Sequence, residues 1–256
     1  MLVSIILTTH KRPALLRRAL TSILTNAPNG VEVVLCADDD DAGTFDTARE
    51  LLRPSDVFMR LPNRNGPAAT RNIGVQVATG SHVCFLDDDD TFDSLHLGAL
   101  CRLAEEKEQS VRYFDYRVVV EDLNAGNPIT LREDVKFIAD LEPSYLEVRN
   151  FIPINALLFP KFVFQSSTFD QNLRSHEDWD LLLSLLSAGV KFEFSQGAPG
   201  ANVHTRQEEN SRNKKVDIAL DYLSIYRKWP AKTSKVRALR QEVLAGLALN
   251  MPKDCL

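Results

Sequence analysis

The chain has 256 residues, 44% of them hydrophobic and 25% charged, which excludes a disordered segment and fits one large domain or two halves sharing a core. With 30 basic against 35 acidic residues the net charge is −5, so no global basic field points to nucleic acid as a partner. No stretch approaches the ~20 apolar residues that a bilayer-crossing helix needs.

In chain order, Val3 to Leu7 is a short apolar run without alternation, the pattern of a strand covered on both faces. The amino-terminal MLVSIILTTHKRP lacks a basic n-region, and its apolar run is too short for a signal sequence. A cytoplasmic protein is therefore expected. After the polar Thr8 to Arg12, Pro13 stands at a first helical position, and Leu16, Ala19, Leu20, Ile23 and Leu24 recur at helical spacing until Pro28-Asn29-Gly30. Val31 to Ala37 reads as a second buried strand, Thr47 to Leu52 as a helix ended by Pro54, and Val57 to Leu61 as a third strand. Gly66-Pro67 opens a helix with Ala69, Ile73 and Val77 on one face, and Val83 to Leu86 is the next strand. Strand and helix alternate over the first ~90 residues, which predicts a mostly parallel sheet with helices on both faces.

Further on, Tyr113 to Glu121 and Ile129 to Arg132 flank Asn124-Ala125-Gly126-Asn127-Pro128 and read as a hairpin, with Asn155 to Phe159 as another strand. Asp180 to Ala188 reads as a helix, with Leu182, Leu185 and Leu186 along one side, ended by Gly189. Near the carboxyl end Val236, Leu239, Val243 and Leu247 form a helical stripe beside Lys228, Lys232, Lys235, Arg237 and Arg240. Such a stripe either packs on the domain or docks on an anionic membrane, which would place the protein at the inner face of the membrane. Cys36, Cys84, Cys101 and Cys255 show no C-x-x-C spacing, and the first two lie inside apolar runs, as expected in a reducing compartment.

The chemistry concentrates at two strand ends. VEVVLCADDDD and VCFLDDDD each run an apolar strand into four aspartates, and in open α/β sheets ligands bind beyond the carboxyl ends of the strands. Asp87 to Asp90 offer clustered hard oxygen donors that suit Mg²⁺ or Mn²⁺, which bind through one or two carboxylates and substrate phosphates. Asp90 is read as the cap of the following helix, with Asp93 in its first turn. The stretch also contains D-x-D-x-T after a strand and resembles haloacid-dehalogenase-like phosphatases, in which Asp87 would be the nucleophile and Asp89 the acid. That motif normally follows the first strand of its fold, and here three strands precede it.

A third cluster, Glu177-Asp178 in FDQNLRSHEDWDLLLSLLSAG, completes an ordered set. With VSIILTTHKRPALLRRAL, VEVVLCADDDDAGT and NGPAATRNIGVQVATGSHVCFLDDDDTF, it makes the chain resemble family 2 glycosyltransferases of the GT-A fold over at least Val3 to His204. The resemblance implies an α/β GT-A domain with a nucleotide-sugar-binding half (1–110), an acceptor-binding half (111–205) and a helical tail (206–256). It implies transfer of a sugar, with inversion, from a nucleoside-diphosphate donor to a hydroxyl of a saccharide or lipid-linked glycan. Asp38 matches the position that accepts from the base, and Thr8 lines the nucleoside pocket, with Thr9 and Arg12 as further donor contacts. Asp87 is matched to the ribose, Asp88 to the nucleotide side and Asp89 to the metal. Asp178 matches the catalytic base, with Glu177 beside it. Arg71 and His204 are candidates for the diphosphate, His204 also as a metal ligand. Ala37, Asp39 and Asp40 depart from the usual Asp-Asp-Gly-Ser, so UDP is a family expectation only.

Overall fold

The computed structural model describes residues 2–25, 27–61, 66–107, 109–122, 128–173, 175–196, 200–206, 212–247 and 249, with the backbone alone for 206 and 212–216. Chain order runs β1 (Val3–Thr9), α1 (Pro13–Leu24), β2 (Val31–Ala37), α2 (Ala42–Leu51), β3 (Val57–Arg60), α3 (Gly66–Val77), β4 (His82–Asp87), β5 (Thr91–Phe92) and α4 (Ser94–Glu105). It continues with β6 (Val111–Tyr113), β7 (Tyr116–Asp122), β8 (Ile129–Lys136), β9 (Leu157–Pro160), α5 (Glu177–Ser187), β10 (Phe192–Phe194), β11 (Ala201–Arg206), α6 (Arg212–Lys228) and α7 (Ser234–Gly246).

The unbroken apolar runs become the centre of a seven-stranded sheet of order β10-β6-β9-β4-β1-β2-β3. Strands β4, β1, β2 and β3 are parallel, with Ile5 opposite Val33 on one side and Cys84 on the other. Every residue of β1 and β2 is buried. Side chains alternate between two cores as a strand's period of two requires. Ile5, Leu7, Val33 and Leu35 meet Leu16, Leu20, Leu97 and Leu100 on one face, whereas Ile6, Val34 and Phe85 meet Val75, Trp179, Leu182 and Tyr226 on the other. Helix α3 lies so close to β1 that a Cβ on Gly74 would stand 2.5 Å from Ile6 Cγ2. Strand β9 enters antiparallel between β4 and β6, so strands from the second half of the chain complete the same sheet. A four-stranded sheet, β5-β11-β7-β8, stands beside it.

Several elements differ from the sequence reading for local reasons. Helix α2 begins at Ala42 rather than Thr47, because the Asp41 carboxylate accepts the Thr44 N–H at 2.9 Å and caps it. Helix α5 begins at Glu177 rather than Asp180. The single strand expected over Tyr113–Glu121 is two, β6 and β7, in different sheets; β7 and β8 form the expected antiparallel pair, and the loop residues 123–127 lie outside the described residues, as does Cys255. Asn155 sits in a 3-10 turn, Ile154–Ala156, before β9. Helix α3 buries Ala68, Ala69, Thr70, Arg71, Gly74 and Val75, while Ile73 and Val77 are only half-buried. In α7 the fully covered residues are Arg240 and Leu244, not the expected stripe, whose members are half-buried. Cys36, Cys84 and Cys101 are buried free thiols. No helix of the described residues is long and apolar enough to cross a membrane.

Candidate active site at the strand carboxyl ends

Parallel pairing of β1 with β2 and β4 brings Thr8, Thr9, both aspartate runs and the start of α1 to one edge of the sheet. In the first run each aspartate has its own task. Asp38 accepts the Gly66 N–H at 2.8 Å through its side chain, and its carbonyl accepts from His10 Nδ1 at 2.7 Å. Asp39 accepts the N–H groups of Lys11 (2.6 Å) and Asp41 (2.9 Å), Asp40 is exposed, and Asp41 is the cap of α2.

Three arginines from elsewhere make the second run tolerable. Asp87 accepts from Thr8 Oγ1 at 2.9 Å and Arg71 Nη2 at 2.7 Å. Burial alone would raise its pKa, but Arg71 and Thr8 hold it below the usual carboxylate range. Asp88 is fully buried and accepts from Thr9 Oγ1 at 2.7 Å, with Arg12 Nη2 at 2.5 Å. Burial dominates there and pushes its carboxyl up to about 6. Asp89 is 38% exposed and pairs with Arg12 Nη1 at 2.7 Å, while its carbonyl accepts from Arg18 Nη2 at 2.5 Å.

Asp90 does not cap α4. That role belongs to Asp93, whose carboxylate accepts the Leu95 N–H at 2.8 Å, because Thr91 and Phe92 form β5 first. Asp90 instead accepts from Asn155 Nδ2 at 2.6 Å and the His204 N–H at 2.7 Å, and burial holds its carboxyl well above the usual range. His204 has both ring nitrogens engaged. Nδ1 donates to Glu121 Oε1 at 2.9 Å, which leaves Nε2 to accept from Thr91 Oγ1 at 3.0 Å. Burial, with Arg18 nearby, keeps this imidazole below its ordinary pKa. Glu121 is itself clasped by Arg18 at 2.8 and 2.9 Å. His204, Glu121, Arg18 and Asn155 thus brace the aspartate turn from behind.

Across the cleft, α5 presents Glu177-Asp178 directly after His176, whose φ of 59° is left-handed. Arg71, 5% exposed, ties the two sides together: Nη1 stands 2.5 Å from Glu177 Oε1 and Nη2 2.7 Å from Asp87 Oδ1. Asp178 is held by Asn150 Nδ2 at 3.0 Å and the Trp179 N–H at 2.7 Å. Burial, reinforced by the Glu177 charge, raises its carboxyl above the usual range. Of the predicted site residues, Thr8, Thr9, Arg12, Asp38, Arg71, Asp87, Asp89 and Glu177 line one cavity of about 570 Å³. Asp88, Asp178 and His204 are not among its lining residues. His10, Gly66, Pro67 and Thr70 also line it and were not foreseen. The local signal for Gly66 is its φ of +75°, which favours glycine where the Asp38 side chain takes its N–H.

The sequence profile described as Glycosyl transferase family 2 matches residues 4–169, more than half of the chain. The chain belongs to this family. A Haemophilus influenzae relative named an uncharacterized glycosyltransferase is 33% identical over 178 residues, covering 66% of this chain and 70% of its own length. A Campylobacter jejuni relative, GalNAc(5)-diNAcBac-PP-undecaprenol beta-1,3-glucosyltransferase, is 32% identical over 106 residues, 40% of this chain and 34% of its own. The chain spans 28% to 35% of the length of three matching Rickettsia glycosyltransferases. Among solved structures, S. aureus TarS 1-349 in complex with UDP-GlcNAc superposes with a TM-score of 0.67 at 16% identity, covering 95% of this chain and 72% of that one. The fold of this family 2 member is therefore the expected α/β GT-A arrangement.

Proposed function

We propose that this glycosyltransferase moves a sugar, with inversion, from a UDP-sugar to a hydroxyl of a saccharide or lipid-linked glycan, assisted by Mn²⁺ or Mg²⁺. The observation that carries the reading is the single cavity joining Asp38, Asp87, Asp89, Arg12, Arg71 and Glu177 at the strand carboxyl ends. The bound UDP-GlcNAc named for the TarS structure supports the donor class, and the undecaprenol-linked substrate in the Campylobacter relative's name supports the acceptor class. The donor set suits a hard cation. Asp89 is half-exposed and lines the cavity, so its oxygens are open to a cation there. A single such carboxylate suffices when substrate phosphates supply further ligands. Asp89, backed by Asp88, would hold it, and a bound cation supplies charge stabilisation for the leaving diphosphate.

The chain's own residues do the rest. Asp38 and Thr8 seat the nucleoside, Asp87 accepts from ribose hydroxyls, and Arg12 and Arg71 place positive charge by the diphosphate. The acceptor oxygen bonds to the anomeric carbon as the bond to the diphosphate breaks. The electron pair leaves with the diphosphate, and the acceptor proton passes to Asp178. The raised basicity of Asp178 suits that task better than Glu177, whose carboxylate is paired with Arg71.

A thermal-shift panel of nucleotide sugars with Mn²⁺ tests the reading, since a ligand at 100 times its Kd adds ~2.7 kcal/mol. UDP-sugars should raise Tm and EDTA should remove the gain, whereas a flat panel would overturn the proposal. Asp89→Ala should abolish the Mn²⁺-dependent part and lower turnover by roughly 10²–10³.

A further inference from the structure

The carboxylates assigned to the cation already carry a positive partner. Arg12 places Nη2 2.5 Å from Asp88 Oδ1, Nε 3.3 Å from Asp88 Oδ2 and Nη1 2.7 Å from Asp89 Oδ2. One planar fork spans a fully buried carboxylate and a half-exposed one, a geometry that the five donors of a guanidinium permit.

The backbone builds this placement. Lys11, just before Arg12, has a φ of 55° and gives its N–H to Asp39 Oδ2 at 2.6 Å. Pro13, just after, opens α1 with its ring-fixed φ. The first aspartate run therefore anchors the turn from which Arg12 covers the second. The two clusters that look redundant in the sequence are one device.

We infer that Arg12 is a built-in competitor of the divalent cation: it neutralises Asp88 and Asp89 in the nucleotide-free protein and yields Asp89 only when a nucleoside diphosphate supplies further oxygen ligands. Asp89 is the member able to change partners, because it is 38% exposed and lines the cavity. Asp88 is not, being fully enclosed and held by Thr9 and by the His10 N–H. Arg12 can keep Asp88 through Nε and Nη2 while Nη1, once Asp89 has moved away, is open to the diphosphate. Cation and nucleotide then bind cooperatively, and the cation alone binds weakly. This inference rests on the metal-assisted reading above.

The test is a titration of Mn²⁺, followed by its electron paramagnetic resonance signal, with and without UDP, on wild type, R12A and R12K. Without nucleotide, R12A should bind Mn²⁺ about tenfold more tightly than wild type, the size expected for loss of a charge-assisted competitor. R12K should fall between, since an ammonium cannot span both carboxylates. The factor by which UDP tightens Mn²⁺ should shrink correspondingly in R12A. Equal Mn²⁺ affinity of R12A and wild type, with unchanged circular dichroism, overturns the inference. Should R12A fail to fold, equal affinity of R12K and wild type does the same. If no variant takes up Mn²⁺ even with UDP, while UDP still binds in EDTA, the metal assignment falls and the role of Arg12 with it. Absence of UDP binding altogether would instead overturn the donor site.

Discussion

Glu177 and Asp178 are chain neighbours with different surroundings, and that difference predicts different phenotypes. Asp178→Asn keeps the size, but its one amide oxygen can accept from only one of Asn150 Nδ2 and the Trp179 N–H, and it cannot take a proton. So kcat should fall by ~10²–10⁴ with donor affinity nearly unchanged and Tm only slightly lower. Glu177→Gln removes one of two counter-charges from the buried Arg71 and should lower Tm. Steady-state kinetics and melting curves on both variants check this, and the reverse pattern would move the base to Glu177. His96 gives a second prediction at this scale. It is fully buried between Phe92 and Phe114, at ring separations of 5.1 and 4.8 Å, with neither ring nitrogen hydrogen-bonded. Burial pushes its pKa down to about 3. The unfolded chain takes up a proton near 6.5 and the folded protein does not, so stability falls as pH drops below ~6.5, by about 1.4 kcal/mol per unit until the folded pKa is reached. His96→Phe should remove that slope, and urea unfolding at pH 5 and pH 8 measures it.

Helix ends and helix–sheet contact decide the element scale. Asp93 is the true cap of α4, so Asp93→Ala should cost ~1 kcal/mol. Gly74→Ala should cost about 1–3 kcal/mol, because the new methyl meets Ile6 Cγ2 at 2.5 Å and Cys36 Sγ at 3.3 Å and neither core strand can retreat. Denaturation midpoints compare the two. That Asp93 rather than Asp90 caps α4 was not legible beforehand, since both precede the helix and both are good cap residues. The choice follows from β5, a two-residue strand that exists only because β11 returns from a hundred residues later to pair with it. The cap of α2 was hidden likewise, because Asp41 looked like the end of an acidic cluster.

Helices α6 and α7 bear on the whole molecule. Tyr226 donates to the Val148 carbonyl at 2.6 Å, and Arg240 donates to the carbonyls of Glu147 and Trp229 at 2.7 Å each, its guanidinium 4.3 Å from the Tyr226 ring centroid. Lys228 pairs with Asp170 at 2.6 Å and Asp180 at 2.9 Å. Two of the basic residues that suggested a membrane surface therefore work inside the fold, clamping the tail onto α5 and the loop before it. Arg240→Ala should cost about 2–3 kcal/mol, since it leaves two carbonyls without a donor and removes a cation over an aromatic face, and urea titration reads it. Co-sedimentation with anionic vesicles at low salt should show no binding. Binding there would mean that Lys232, Lys235 and Arg237 suffice for a membrane contact.

The alternation of strands and helices, the two-faced burial of β1, β2 and β4, and the placing of acidic residues at strand ends follow from the amino-acid order alone. Hydrophobic periodicity and turn chemistry act over a few residues, so their record is contiguous and readable. What compensates those acids was decided only by the tertiary structure. Arg12 meets Asp89 across 77 residues of chain, Arg71 meets Glu177 across 106, and the His204 N–H meets Asp90 across 114. Coulomb attraction and hydrogen bonding depend on distance in space, and the parallel crossovers of the sheet, not the spacing along the chain, bring these groups within reach.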